Sequence, residues 1–178
     1  MHPSTVNPRR AARGAIACGM RSAGLLLHRR TPGGLEVFIV HPGGPYFARK
    51  DDGVWSIPKG EIDGDEQPLD VARREFHEET GQTLEACGGT GEPHPLGEIR
   101  QAGGKRVEAW AVEGDWPDGV ELVSNTFTLE WPPRSGTMQS FSEVDRGGFV
   151  PLAEARRKLN PAQVEFLDRL VAWLASSG

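Results

Sequence analysis

Hydrophobic and polar positions alternate with several different periods along the chain, and each period predicts an element. Apolar runs of strand length at residues 22–29 and 35–40 flank the turn sequence Thr-Pro-Gly-Gly, which predicts a β-hairpin. Residues 95–101 and 106–112, joined by Ala-Gly-Gly-Lys, predict a second hairpin. Residues 126–131 predict one further short strand. The chain is therefore expected to be rich in antiparallel pairs.

Between the two hairpins, the apolar period changes to that of a helix. Leu69, Ala72 and Phe76 recur at helical spacing and form one apolar face. Pro68 suits the first helical turn, where its missing N–H is not needed. Gly81 is typical of the position at which a helix ends. These signals predict a helix from residue 68 to residue 80.

The C-terminal part of the chain carries two more helical patterns. A short helix is predicted at residues 152–158 and a longer one at residues 161–175. The segments at 46–53 and 134–145 are polar and are predicted to be loops. The longer helix has an apolar stripe that predicts packing on the core, formed by Val164, Leu167, Leu170, Val171 and Leu174.

Composition narrows the class of protein. The 178 residues fit one domain, and the net charge of −5 disfavours a nucleic-acid or membrane surface. No apolar run approaches the length of a membrane span. Cys18 and Cys87 are interpreted as free thiols in a reducing cytoplasm, with one disulfide as the alternative. The sequence carries no signal for an oligomeric state.

The N-terminal residues differ from the rest of the chain. Residues 1–20 contain three arginines, no acidic residue and no periodic pattern. No apolar segment of signal-peptide length follows them, so export is not expected. We expect a disordered extension at 1–20 and a single folded domain at 21–178.

Three carboxylates on the predicted central helix suggest chemistry. Glu75, Glu78 and Glu79 stand at i, i+3 and i+4, so they share one helix face and repel one another. They also lie in the second half of the helix, where the macrodipole disfavours negative charge. A bound cation would offset both effects, and hard oxygen ligands favour Mg²⁺ or Mn²⁺. The alternative is a solvated acidic face paired with Arg73 and Arg74.

The spacing around these carboxylates forms a longer motif. Gly60 is followed after five residues by Glu66 and, seven residues later, by Arg-Glu-Phe-His-Glu-Glu-Thr-Gly, which ends at Gly81. This motif resembles the box of the Nudix hydrolase family, whose seven fixed letters are all present. Such a match arises by chance on the order of 10⁻⁶ over the chain. Only the final apolar position departs from the pattern, because it is Gln82, with Leu84 as a possible substitute.

The resemblance implies a fold and an activity. The family fold is an α/β/α sandwich, a mixed β-sheet between helices, with the box forming a loop–helix–loop. Family members hydrolyse a nucleoside diphosphate linked to another group X and use divalent cations. Residues 55–61, with the pattern Trp-x-x-Pro-Lys-Gly-Glu, resemble MutT-like members that act on nucleoside or dinucleoside polyphosphates. The resemblance implies an enzyme that binds Mg²⁺ or Mn²⁺ and a small nucleotide. The composition adds a cytoplasmic location and partners that include neither nucleic acid nor membrane.

The resemblance also implies roles for individual residues of the box. Arg74 is expected to orient a carboxylate, and Glu66 to tether the loop to the start of the helix. Glycine at position 60 would let the backbone approach the ion closely. The implied metal ligands are Glu75, Glu78, Glu79 and the backbone carbonyl of Gly60.

Outside the helix, the candidates are basic residues and a general base. Lys59, Arg49 and Lys50 are candidates to bind phosphates, although an exposed surface role suits the last two equally. The general base is expected to be Glu79, or a glutamate from a downstream loop as in some family members. Glu143 is the first downstream candidate, with the role of an ordinary loop acid as its alternative, and Glu130 is the second.

Three functions remain open at this stage. The first is hydrolysis of nucleoside triphosphates or dinucleoside polyphosphates, and the second is hydrolysis of nucleotide sugars. The third is a catalytically silent module that senses a ligand. Substrate choice is expected to depend on residues 41–50 and 134–145. The aromatic residues that could stack on a base or pack in the core are Tyr46, Phe47, Trp55 and Trp131. The histidines, interpreted as surface or strand residues, are His28, His41, His77 and His94.

Overall fold

The computed structural model describes residues 20–178. The predictions for Cys18 and for nearly all of the N-terminal extension therefore lie outside the described residues. The strands are β1 Arg21–Thr31, β2 Gly34–Pro42, β3 Lys59–Glu61, β4 His94–Arg100, β5 Arg106–Glu113, β6 Thr126–Glu130, β7 Met138–Ser142 and β8 Val144–Pro151. The α-helices are α1 Pro68–Thr80, α2 Leu152–Lys158 and α3 Val164–Ser176.

β1 is the centre of a mixed six-stranded sheet. The strand order is β4-β5-β1-β2-β8, and β3 pairs with the first part of β1. β1 and β5 are parallel, whereas the other pairs are antiparallel. Leu25, Leu26 and Leu27 of β1 are all fully buried, as expected of a strand that is covered on both faces.

Helices cover both faces of this sheet. Successive side chains of a strand point to opposite faces, so Leu26 joins one apolar cluster while Leu25 and Leu27 join the other. The first cluster packs against α2 and α3, and the second packs against α1. This arrangement confirms the predicted α/β/α sandwich. No helix in residues 20–178 is long and apolar enough to cross a membrane.

The predicted hairpins and helices are confirmed to within a few residues. α1 begins at Pro68 and ends before Gly81, which takes the left-handed conformation with φ of 77°. Leu84 is buried against the α1 cluster, as expected if it replaces the missing apolar residue of the motif. In α3, however, the predicted stripe was partly wrong: Phe166 is fully buried and Val171 is 38% exposed.

The predicted loop at 134–145 was wrong. β7 and the start of β8 lie there, and β6 and β7 form a separate two-stranded sheet. One face of this hairpin is aromatic, with the rings of Phe127 and Phe141 5.9 Å apart. The other face pairs Thr126 with Ser142 and is exposed. Because neither strand is buried on both faces, its residues look like those of a polar loop.

Candidate active site

The site begins where β3 passes beneath α1. Ala72 and Phe76 are fully buried under α1 and fix the helix on the sheet. The same packing buries the side chain of Glu75, which is 2% exposed. Opposite it, a Cβ atom placed on Gly60 would lie 1.8 Å from Cδ of Glu75. Only glycine at this position allows the carboxyl group to lie against the strand.

Glu79 lies one helical turn further along, above the start of β3. The backbone N–H of Lys59 donates to Oε2 of Glu79 over 3.1 Å. The pKa of Glu79 is raised to about 8, mainly by burial, and the nearby carboxylates of Glu75 and Glu143 act in the same direction. The charge of Lys59 and its backbone hydrogen bond act in the opposite direction. Glu79 therefore sits in a buried acidic environment that Lys59 only partly offsets.

Arg74 links the remaining carboxylates of the box. Its Nη1 lies 3.0 Å from Oε1 of Glu75 and 3.4 Å from Oε1 of Glu78, and its Nη2 lies 3.4 Å from Oε2 of Glu66. Oε2 of Glu66 also accepts from the backbone N–H of Asp63 over 2.9 Å. One guanidinium thus orients three carboxylates, and Glu66 joins the loop to the helix.

Glu143 reaches this site from outside the box. Its backbone N–H donates to the carbonyl of Asn125 over 2.8 Å, and its carbonyl accepts from the N–H of Gly43 over 2.9 Å. The N–H of Asn125 in turn donates to the carbonyl of Glu78 over 2.8 Å. The segment before β8 is therefore attached to the end of α1. Asn125 is a contact that no sequence signal indicated.

The second downstream candidate lies elsewhere. Glu130 is at the opposite end of the β6–β7 hairpin from Ser142, the residue next to Glu143. Its Oε1 accepts from the backbone N–H of Gly136 over 2.8 Å, within the turn of that hairpin. The structure therefore brings Glu143, rather than Glu130, to the carboxylates of the box.

The basic candidates divide into two groups. Lys59 is half-buried beside Glu79. Arg49 and Lys50 are exposed on the segment between β2 and β3, and Nζ of Lys50 lies 5.4 Å from the ring centroid of Phe47. The structure thus places Lys59 within the carboxylate site and the other two on a neighbouring loop.

The aromatic candidates also divide. Trp55 is buried, and its Nε1 donates to Asp51 over 2.7 Å, so the core interpretation is correct for this residue. Tyr46 is 55% exposed and meets the ring of Trp131 edge-on, with centroids 5.3 Å apart. Trp131, which directly follows β6, and Tyr46, which lies between β2 and β3, therefore form an aromatic pair. The segment that carries Tyr46 also contacts Glu143, through Gly43.

The donors fit a hard divalent cation, although their present contacts are with the protein. In residues 20–178, no group of three or more His, Cys, Asp or Glu side chains is arranged to hold a metal ion. Glu75 and Glu78 instead contact Arg74, and Glu79 contacts the N–H of Lys59. Nevertheless, every side-chain donor is a carboxylate oxygen, and the missing Cβ of Gly60 leaves its backbone close to one of them. This donor set suits Mg²⁺ or Mn²⁺.

Comparison with solved structures defines the class of fold. The C. elegans Ap4A hydrolase binary complex is 21% identical, with a TM-score of 0.61, and covers 87% of this chain and 98% of that chain. The NUDIX domain of Shewanella oneidensis NrtR complexed with ADP ribose is 14% identical, with a TM-score of 0.60, over 96% and 99% of the two chains. These similarities establish a Nudix fold.

Comparison of sequences then establishes the family. The profile of the NUDIX domain family matches residues 8–173. The 8-oxo-(d)GTP phosphatase of Mycolicibacterium smegmatis is 32% identical in an alignment 142 positions long that covers 71% of this chain and 38% of that protein. The RNA pyrophosphohydrolase of Bartonella henselae is 63% identical over 27 residues, which are 15% and 16% of the two chains. The chain spans well under half the length of both curated relatives. It belongs to the Nudix family, as the motif predicts.

Proposed function

We propose that the protein is a Mg²⁺-dependent Nudix pyrophosphohydrolase that cleaves nucleoside triphosphates or dinucleoside polyphosphates. The observation that carries this proposal is the convergence of buried Glu75 and half-buried Glu79 on the Gly60–Lys59 strand, with Glu143 approaching from outside the box. Buried carboxylates without a cation are unfavourable. Their retention at one point is typical of a catalytic site.

Different residues of the site would have different roles in the reaction. Glu75, Glu78 and Glu79, with the carbonyl of Gly60, would hold the cation. The chemistry supplied by a divalent cation held there would be electrostatic stabilisation of the charge that develops on the phosphate. Arg74 would keep two of the carboxylates oriented when no substrate is present. In this division of roles, the box supplies binding and electrostatic stabilisation.

Proton transfer from the attacking water is assigned to a residue outside the cation-binding set. Glu143 suits this role because its backbone is fixed at both its N–H and its carbonyl, whereas Glu79 is needed for the cation. Glu79 is the second candidate for the base. If Glu143 is the base, Glu143→Gln should lower kcat strongly and leave the affinity for Mg²⁺ unchanged, whereas Glu79→Gln should weaken both.

The proposed substrate class is based on the charged residues near the site, an exposed aromatic ring and the names of similar proteins. Lys59 lies at the carboxylate site, and Arg49 and Lys50 are exposed on the same segment as Tyr46. A chain of phosphates could follow the lysines and arginine, while the exposed ring of Tyr46 meets a base. The two relatives whose names state a nucleotide substrate are an 8-oxo-(d)GTP phosphatase and an Ap4A hydrolase, which supports a nucleoside polyphosphate.

The decisive experiment is a hydrolysis panel with Mg²⁺, containing nucleoside triphosphates, dinucleoside polyphosphates and nucleotide sugars. Reaction in ¹⁸O-labelled water identifies the phosphorus that is attacked. We expect turnover of a nucleoside polyphosphate that EDTA abolishes, that Glu75→Gln loses and that exposed Glu85→Gln keeps. Preferential turnover of nucleotide sugars would contradict the proposed substrate. Tight binding without turnover would instead indicate a sensor module.

A further inference from the structure

We propose that His41 is a positioning residue that holds Glu143 and the loop carrying Arg49 and Lys50 in one arrangement. This inference rests on the proposed function and assigns a role to a residue outside the box. His41 directly follows the predicted second strand, and the sequence predicts only a surface or strand position for it. The structure shows its ring to be 0% exposed.

Both nitrogens of the His41 ring make short hydrogen bonds. Nδ1 lies 2.7 Å from Oδ1 of Asp145, and Nε2 lies 2.7 Å from the backbone carbonyl of Lys50. The ring also meets Trp55 edge-on, with centroids 5.2 Å apart. One imidazole therefore connects three segments that are distant in sequence: the end of β2, the loop before β3 and the start of β8.

The chemistry of the partners shows what the ring must donate. A backbone carbonyl only accepts, so Nε2 carries a proton and donates to Lys50. On the other side of the ring, Nδ1 is paired with a carboxylate oxygen of Asp145. A buried imidazole with both nitrogens bonded has little freedom to rotate. Charge-assisted bonds of this length are among the stronger ones in proteins.

The positions of these bonds relate His41 to the candidate base. Asp145 follows Glu143 by two residues, and Gly43 follows His41 by two residues. The N–H of Gly43 donates to the carbonyl of Glu143, so the two segments are joined at two points on either side of an irregularity in the β2–β8 register. Loss of the ring would release one of these points and let the backbone of Glu143 shift.

The bond to Lys50 has a second consequence. It fixes the carbonyl of the residue that is a candidate phosphate ligand, on a loop that is otherwise exposed. His41 thereby couples the proton-transfer side of the site to the phosphate-binding side. We expect its removal to affect kcat through Glu143 and KM through Arg49 and Lys50, without any contact between His41 and the substrate.

The test compares four variants with wild type, using the nucleotide that the wild type hydrolyses best with Mg²⁺. His41→Gln cannot donate at both positions, and Asp145→Ala removes the partner of Nδ1. Both should lower kcat/KM by about tenfold or more, because small displacements of reacting groups have large effects on rate. Asp145→Asn should stay within about threefold of wild type, because an amide N–H can donate to Nδ1 of a neutral imidazole. The matched control, exposed Asp118→Asn, should not change either parameter.

The outcomes separate the proposal from simpler accounts. Assays are run below the melting temperature of each variant. The side chain of Asp145 is 37% exposed, so its truncation disturbs the core less than a change at His41. Asp145→Ala therefore still tests the role if His41→Gln fails to fold. A lowered melting temperature with unchanged kcat and KM would overturn the proposal. Equal losses in Asp145→Asn and Asp145→Ala would also overturn the proposal, because a side chain that keeps the hydrogen bond would then not preserve activity. If wild type hydrolyses nothing on the panel, the proposed function itself is wrong and the positioning role falls with it.

Discussion

The two faces of the central sheet are covered by helices of equal length but opposite character. α1 and α3 each contain 13 residues. On the α3 face, Phe166, Leu167 and Leu170 are fully buried and make an apolar contact with the sheet. On the α1 face, Phe76 is equally buried, yet the same helix also buries Glu75. One helix thus contributes mainly stability, while the other brings charge into the interior.

This difference shows where the molecule gives up stability for chemistry. A buried carboxylate is unfavourable unless it is paired, protonated or bound to a cation. The apolar part of α1 holds the helix on the sheet, so that its acidic part can be held in an unfavourable environment. Changes on the α3 face should therefore alter stability, and changes on the α1 face should alter turnover.

The largest change in stability is expected from Phe166→Ala on the α3 face. Truncation of a fully buried phenylalanine typically lowers the free energy of unfolding by about 3–5 kcal/mol. Urea denaturation should show this loss, while kcat of the folded fraction stays close to wild type. Val171→Ala on the same helix is the control and should change stability by less than about 0.5 kcal/mol, since Val171 is 38% exposed. Equal effects of the two variants would contradict the described packing of α3.

Gly60→Ala on the α1 face is expected to lower activity strongly and stability only moderately. The added methyl group would overlap the carboxyl group of Glu75, whose Cδ would be 1.8 Å away. Displacing that carboxyl group should lower kcat/KM by about 100-fold and raise the Mg²⁺ concentration needed for half-maximal activity. The free energy of unfolding should fall by less than in Phe166→Ala, by about 1–2 kcal/mol. Gly91→Ala, where no atom lies within 4 Å of the added carbon, should change neither. Wild-type activity in Gly60→Ala would exclude the close approach.

A smaller effect on folding stability is expected from His28, a titratable residue near the α3 face. It is buried beside Trp173, and neither ring nitrogen has a hydrogen-bond partner among residues 20–178. Burial lowers the pKa of His28, with Arg30 acting in the same direction and Glu113 against it. The unfolded chain therefore binds the proton more readily, so stability is full above about pH 6.5 and is lost as the pH falls below it.

His28→Leu tests this effect. The slope of unfolding free energy against pH between 7 and 5 should be flatter in His28→Leu than in wild type. His77→Leu, at an exposed position on α1, should keep the wild-type slope. If the slopes of wild type and His28→Leu coincide, the burial of a neutral imidazole is contradicted.

The parts of the molecule that the sequence predicts are those with a local signal. Pro68 and Gly81 mark the ends of α1, and turn residues mark both hairpins of the main sheet. The motif from Gly60 to Gly81 identifies the candidate residues of the box from their spacing in the sequence alone. These signals depend on backbone preferences and spacing, which do not require knowledge of the tertiary structure.

The parts that were missed depend on contacts between distant segments. β8 contains Gly147, where an added Cβ would lie 2.8 Å from Cδ1 of Leu122, so this strand depends on a close approach by a residue that is distant in sequence. β7 exposes Met138, Ser140 and Ser142 on one face, and its other face carries exposed Gln139 and half-buried Phe141. The burial of His41 follows from the pairing of β2 with β8, which no local pattern reveals. Tertiary contacts therefore decide these assignments.

The measurement that tests the central claim most directly compares Glu79→Gln with wild type in two ways. In EDTA, the contribution of Glu79 to the stability of wild type should fall as the pH rises from about 4.5 to about 8, because the raised pKa of Glu79 means that the folded state favours its protonated form. Glu79→Gln lacks this loss, so its stability relative to wild type should be greater at pH 9 than at pH 5. With Mg²⁺ at neutral pH, its turnover should fall by about 10²- to 10⁴-fold. A variant that is relatively more stable at high pH and inactive would support the account. Near-wild-type turnover, or no relative gain in stability at pH 9, would contradict it.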